Sequence, residues 1–133
     1  MIKLKDILLE NDAPNIFIPR RMENRVERLI KTYIRNGNKG NLNLQGLHLT
    51  KLPEILKDIT VGGNFNCFNN KLTSLENCPK TVDGTFACSY NNLTSLTGAP
   101  KSVGRDFYCG FNEIKFTEEQ VRAVCDVKGD VYV

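Results

Sequence analysis

A chain of 133 residues, 41% hydrophobic and 25% charged, fits one domain with a modest core and holds no apolar run long enough to span a membrane. Its net charge of +3 is uneven: residues 1–40 carry nine Lys/Arg against five Asp/Glu, whereas residues 41–133 carry nine against ten. Any basic surface is therefore confined to the first forty residues, and five cysteines without a C-x-x-C pair argue against a disulfide framework or a zinc site.

Residues 1–15 read as a tail or targeting-like peptide. The opening MIKLKDILLE is too charged for a secretory signal, so a reducing cytoplasm is the expected compartment and free thiols the expected state of the cysteines. Leu4, Ile7 and Leu8 would form an amphipathic first turn docked on the body. Residues 16–40 form a capping segment, with a helix predicted over residues 20–36, begun at Pro19 and stopped by Gly37. Met22, Val26, Leu29, Ile30 and Tyr33 share its apolar face. Arg21, Arg25, Arg28 and Arg35 follow one flank, with Glu23 and Glu27 on the other. That flank reads first as the solvated side of a cap, its arginine stems lying over apolar surface, and second as a contact for phosphates.

Residues 41–133 repeat. Cys67, Cys88 and Cys109 stand 21 residues apart, and so do Asn70, Asn91 and Asn112. The shared register is V-x-x-x-F-x-C-x-x-N-x-L-x-x-L, with Val61, Phe65 and Cys67 opening one unit, Val82, Phe86 and Cys88 the next, and Val103, Phe107 and Cys109 a third that runs on to Ile114. An earlier degenerate unit fits Leu42, Leu44, Leu49 and Leu52, with Leu47 at the asparagine position. The segment VKGDVYV, Val127 to Val133, matches VGRDFYC and supplies a last strand. Alternation at F-x-C turns both flanking side chains inward and the middle one outward. The asparagines are expected to satisfy backbone groups that a buried turn would strand. The cysteine column reads as small core filler, because a straight column does not offer a metal the tetrahedral set it prefers. Thr117 with Gln120 predicts a capping box opening EEQVRAVC, with Val121, Val124 and Cys125 packed under the last unit.

The pattern resembles the leucine-rich repeat, L-x-x-L-x-L-x-x-N-x-L, with Phe and Cys in two of the leucine positions. The fold expected is an α/β repeat solenoid, a leucine-rich-repeat-like stack of about five short parallel strands, capped by an N-terminal helix and a short C-terminal helix. A wider resemblance rests on IFIPRRMENRVERLIKTYIRNGNKGNLNL followed by LTKLPEILKDITVGGNF, which is similar to small leucine-rich repeat proteins of tailed bacteriophages and their hosts. In those proteins an I-P-R-R helix precedes short V-G-G-x-L repeats; here N-C-P-K and G-A-P-K replace the later L-P-E-x-L turns. Leu8-Leu9-Glu10 also resembles the site after which T-even-like phages remove a short peptide from internal head proteins. These resemblances imply a phage accessory or internal virion protein, placed in the host cytoplasm or the virion interior.

Function is expected on the outward strand positions, Asn43, Asn66, Ala87, Tyr108 and Tyr132, the usual binding surface of such repeats. Phe68, Tyr90, Tyr108, Phe111 and Tyr132, with Asp106 and Asp130 beside them, are the candidate partner-binding residues, since exposed aromatics beside charge are what protein interfaces concentrate. Phe68, Tyr90 and Phe111 also fit a core rim packed over neighbouring turns. The favoured reading is a monomeric, non-enzymatic protein-binding module, with no cofactor, no metal and no membrane partner. The alternative is nucleic-acid contact through Arg21, Arg25, Arg28 and Arg35. An enzyme is the weakest reading, because His48 has no evident partner and no catalytic constellation surrounds it.

Overall fold

The structure, a computed structural model, describes the backbone of residues 18–133 and the side chains from residue 25 onward. The tail, the Leu8-Leu9-Glu10 motif and the side chains of Arg21, Met22 and Glu23 lie outside the described residues. Helix α1 spans Ile18–Arg35, two residues earlier at its start than the proline signal predicts. It ends in a Schellman motif: Gly37, at φ 87°, donates to Ile34 O at 2.9 Å, and Asn38 donates to Tyr33 O at 3.1 Å.

Nine two-residue strands follow. They are β1 (Leu42–Asn43), β2 (Thr60–Val61), β3 (Phe65–Asn66), β4 (Thr81–Val82), β5 (Phe86–Ala87), β6 (Ser102–Val103), β7 (Phe107–Tyr108), β8 (Asp126–Val127) and β9 (Val131–Tyr132). A 3-10 turn, Glu54–Asp58, precedes β2, and helix α2, Glu118–Val124, lies between β7 and β8. The strands form two parallel sheets, one of five in the order β1-β3-β5-β7-β9 and one of four in the order β2-β4-β6-β8. The arrangement is α/β. Phe65 faces Phe86, Phe86 faces Phe107 and Phe107 faces Val131, so the row expected from F-x-C is in the expected register.

The four-stranded sheet was not anticipated. Its strands, Thr-Val twice, then Ser-Val and Asp-Val, are too short to show alternation, and each gains a partner only when the next unit stacks on it. Chain direction turns between the two sheets at a corner without room for a side chain. A Cβ at Gly84 would collide with Asn64 Oδ1 and with the backbone of Gly63.

The core lies between the sheets. Phe65, Phe86 and Phe107 are fully buried, with centroids 5.8 and 4.9 Å apart along the row. All five cysteines are buried and free. Burial pushes the Cys67 thiol up to about 12 and those of Cys109 and Cys125 up to about 11. The asparagines bind as expected. Asn91 Nδ2 donates to Cys67 O and Cys88 O at 3.0 and 3.1 Å, while its Oδ1 accepts from Leu72 N–H at 3.0 Å. Asn70 Oδ1 serves Leu47 and Leu49 N–H in the degenerate unit, which has Leu47 at the asparagine position.

Three apolar assignments are corrected. Leu29 is 38% exposed, because Val26, Ile30 and Tyr33 already fill the contact and Ile34 takes the remaining edge. Val124 is 48% exposed at the end of α2, whose buried side is Val121 with the following Cys125. Ile114 is 43% exposed, and Phe116 is buried instead, after the chain leaves the repeat register. The capping box at Thr117 and Gln120 is present as predicted.

Helix α2 is also more than a lid. In the four-stranded sheet the carbonyls of Val61, Val82 and Val103 accept from the next unit's Asp83, Gly104 and Lys128, and those of Gly63, Gly84 and Arg105 accept from Gly84, Arg105 and Gly129. In the last unit both columns end on one guanidinium: Arg122 Nη1 donates to Val127 O at 2.7 Å and Nη2 to Gly129 O at 2.8 Å, with Nε on Glu118 at 2.9 Å. Arg122 thus replaces two backbone donors and blunts that edge against further pairing. Arg122→Ala is expected to cost about 1–3 kcal/mol in urea unfolding. A loss below about 0.5 kcal/mol would mean that water serves those carbonyls equally well.

Candidate functional site

The five-stranded row carries the predicted surface. Its outward positions are exposed or half-buried from Asn43 to Tyr132, as strand parity requires. The candidate aromatics do not form one cluster; they form two stacks. Tyr108 and Tyr132 lie face to face at 4.5 Å and 12°. Tyr90 and Phe111 stack at 4.5 Å and 12°, and Phe68 meets Tyr90 edge-on at 5.2 Å. Phe68 is half-buried, so it serves the rim as well as the surface, whereas Tyr90 is 47% and Phe111 73% exposed.

The backbone beneath the second stack is unusual. Gly46, Asn69, Tyr90 and Phe111 occupy equivalent positions in successive units, and all four are left-handed, at φ 66°, 60°, 57° and 58°. Glycine takes this conformation freely and asparagine readily, but a bulky side chain there costs roughly 1–2 kcal/mol. Tyr90 and Phe111 therefore pair strained backbone with exposed apolar surface.

The two candidate aspartates have separate duties. Asp106 Oδ1 accepts from Asp130 N–H at 2.9 Å, continuing a column in which Asn41 serves Asn64 and Asn64 serves Thr85. Its other carboxylate oxygen carries no hydrogen bond among the described residues. Asp106 and Asp130 stand two residues before Tyr108 and Tyr132 in paired strands, and Asp130, then Tyr108 and Asp106, hold the Tyr132 phenol above its ordinary range.

Between the stacks lies a cavity of about 330 Å³. Thr85, Ala87 and Ser89 floor it, and Phe68 and Tyr108 stand at its sides. The floor residues were not singled out from the sequence. The available signal is T-x-A-x-S in one unit, small side chains between units that carry Asn-x-Asn-x-x-Phe and Asp-x-Tyr.

At the other end, Arg25 and Arg28 line an open groove of about 710 Å³ with Lys39, Leu29 and Asn43. Arg35 is exposed and is not part of that lining. A third cavity, about 510 Å³, is bordered by Lys57, Lys80 and Lys101, so basic surface is not confined to the first forty residues: stacking brings together lysines that a charge count cancels against acids elsewhere. Among the described residues no three His, Cys, Asp or Glu side chains converge as a metal site would require. No described helix is long and apolar enough to cross a membrane. No protein-family model matches the chain, and a search of curated proteins found no match.

Proposed function

We propose that this chain is a non-enzymatic protein-binding module built as a leucine-rich-repeat-like solenoid, meeting its partner through the five-stranded row and the aromatic edge beside it. The observation that carries this reading is the pair Tyr90 and Phe111. The first two units fill the same left-handed position with Gly46 and Asn69, which suit it. The next two place large aromatic rings there and leave them exposed. Strained backbone under exposed aromatic surface is a poor contribution to folding and a good one to an interface. The parallel register of the sheets and the repeated asparagine bonding support the solenoid. The resemblance to small phage leucine-rich proteins supports an accessory or internal virion protein that engages a host or virion protein.

A second reading, nucleic-acid contact, draws on the groove lined by Arg25, Arg28 and Lys39. It requires affinity that falls steeply with salt.

One capture experiment separates the two. Tagged protein is incubated with nuclease-treated and untreated bacterial lysate, and recovered material is identified by mass spectrometry. Tyr90→Asn/Phe111→Asn adopts the residue already present at Asn69, so strain relief of roughly 1 kcal/mol offsets a similar loss of stacking and the fold is kept. The expected result is a specific protein retained by wild type and by Arg25→Glu/Arg28→Glu, and lost with the aromatic variant. Nuclease-sensitive material lost only with the arginine variant would move the function to α1.

A further inference from the structure

Resting on the binding reading above, we infer that the strand row holds a seat for one arginine side chain of the partner protein, between Phe68 and Tyr108. The strand order defines the seat. Tyr108 on β7 has Tyr132 on β9 against one ring face, at 4.5 Å. Its other neighbour in the row is Ala87 on β5, which is too small to cover the opposite face. Asn66, the row neighbour of Ala87 on β3, borders the far side with Asn64 and Phe68, leaving a cavity of about 330 Å³ over Ala87, Thr85 and Ser89. One long side chain fits there, with its stem against Phe68 and its head on the Tyr108 ring.

Charge selects the head group. Along the outward positions of the row and their flanking columns, the charged residues are Asp106 and Asp130, with no Lys or Arg among them. Asp106 lies two residues before Tyr108 on the same side of the chain, beside Thr85 of the cavity floor. Asp106 adjoins the cavity and does not line it; its Oδ1 is committed to Asp130 N–H, which leaves Oδ2 to accept from a cation stacked on Tyr108. Guanidinium suits this better than ammonium: its plane stacks on an aromatic face while its edge donates to a carboxylate. Lysine offers the charge without the plane.

The probe is N-acetyl-arginine amide, titrated into the isotope-labelled full chain at low salt and followed by amide NMR shifts. The expected shifts map to Ala87, Ser89 and Tyr108. N-acetyl-citrulline amide, similar in shape but uncharged, is expected to bind about tenfold more weakly. Asp106→Asn/Asp130→Asn should weaken the arginine probe by a similar factor, about tenfold, with spectral dispersion intact. The fold tolerates that change at residue 106 because Asn41 and Asn64 already serve as the same acceptor in earlier units. Ala87→Tyr provides a second test, since it continues the tyrosine column into the seat and should abolish the shifts. Equal binding of arginine and citrulline, or shifts that map elsewhere, overturns the inference. If the arginine probe fails while Tyr90→Asn/Phe111→Asn still abolishes partner capture, the seat is refuted and the binding module stands. If the probe binds as expected and that variant captures the partner normally, the aromatic edge is refuted and the seat stands.

Discussion

Alkali is expected to unfold this protein at about pH 10, and five buried thiols are the cause. Burial raises Cys67 from an ordinary 9.0 to about 12, raises Cys109 and Cys125 to about 11, and holds Cys78 and Cys88 well above their ordinary value. In the unfolded chain these groups release protons from about pH 9, whereas in the folded chain they keep them. Their contribution is therefore intact below pH 9 and is lost as pH rises toward the folded values. One unit past the ordinary value, a fully enclosed thiol removes about 1.4 kcal/mol, so Cys67, Cys78 and Cys88 together reach about 4 kcal/mol. Cys109 and Cys125, nearer solvent, add less, and the sum approaches the total stability of a small domain. Urea unfolding under reductant, repeated from pH 8 to 10.5, should show a midpoint that falls with increasing slope. Cys78→Ala borrows the residue found at the equivalent Ala99 and should flatten that slope by about one part in five. A midpoint unchanged across this range would mean that the thiols meet solvent. Thiol labelling at pH 8 should likewise be slow until denaturant is added.

The features legible in the sequence are those that repeat with a side chain. Phe65, Phe86 and Phe107 announce an inward column, and VKGDVYV announces the last strand even though it enters 24 residues after β7 rather than 21. The asparagine column is legible for the same reason. The four-stranded sheet is legible only as a recurring valine: Val61, Val82 and Val103 stand 21 residues apart, but one apolar residue per unit shows no alternation and so does not announce a strand. Leu29, Val124 and Ile114 show a different limit. Periodicity identifies the side of an element that faces the body, but how far the contact extends depends on neighbours such as Ile34 and Phe116. Arg122 lies beyond any local rule, since its acceptors, Val127 and Gly129, are identified only by the columns they terminate. In the candidate site, outward parity locates Tyr108 and Tyr132. The strain at Tyr90 and Phe111 emerges only when they are aligned in space with Gly46 and Asn69.

Asn91→Ala is expected to cost about 2–4 kcal/mol, more than any surface change on the strand row. Asn91 is 6% exposed and ties its own unit to the one before at two points. It donates to Cys67 O in the unit before and to Cys88 O and Ser89 O in its own, while accepting from Leu72 N–H. Alanine strands the buried Leu72 donor, at about 1–3 kcal/mol, and removes the second donor from carbonyls that keep a first: Cys67 O retains Asn70 Nδ2, Cys88 O retains Asn112 Nδ2 and Ser89 O retains Asn69 N–H. Asn112, half-buried with water nearer its acceptors, should cost less, so the order Asn91 above Asn112 in urea unfolding is part of the prediction. A loss at Asn91 below about 1 kcal/mol would show that the ladder is not a structural spine. The adjacent residue makes the opposite case. Tyr90 points its ring outward from a left-handed backbone, and Tyr90→Asn should leave unfolding within about 1 kcal/mol of wild type. Two neighbouring residues, one asparagine inside and one tyrosine outside, thus separate stability from the proposed binding surface at a single peptide bond.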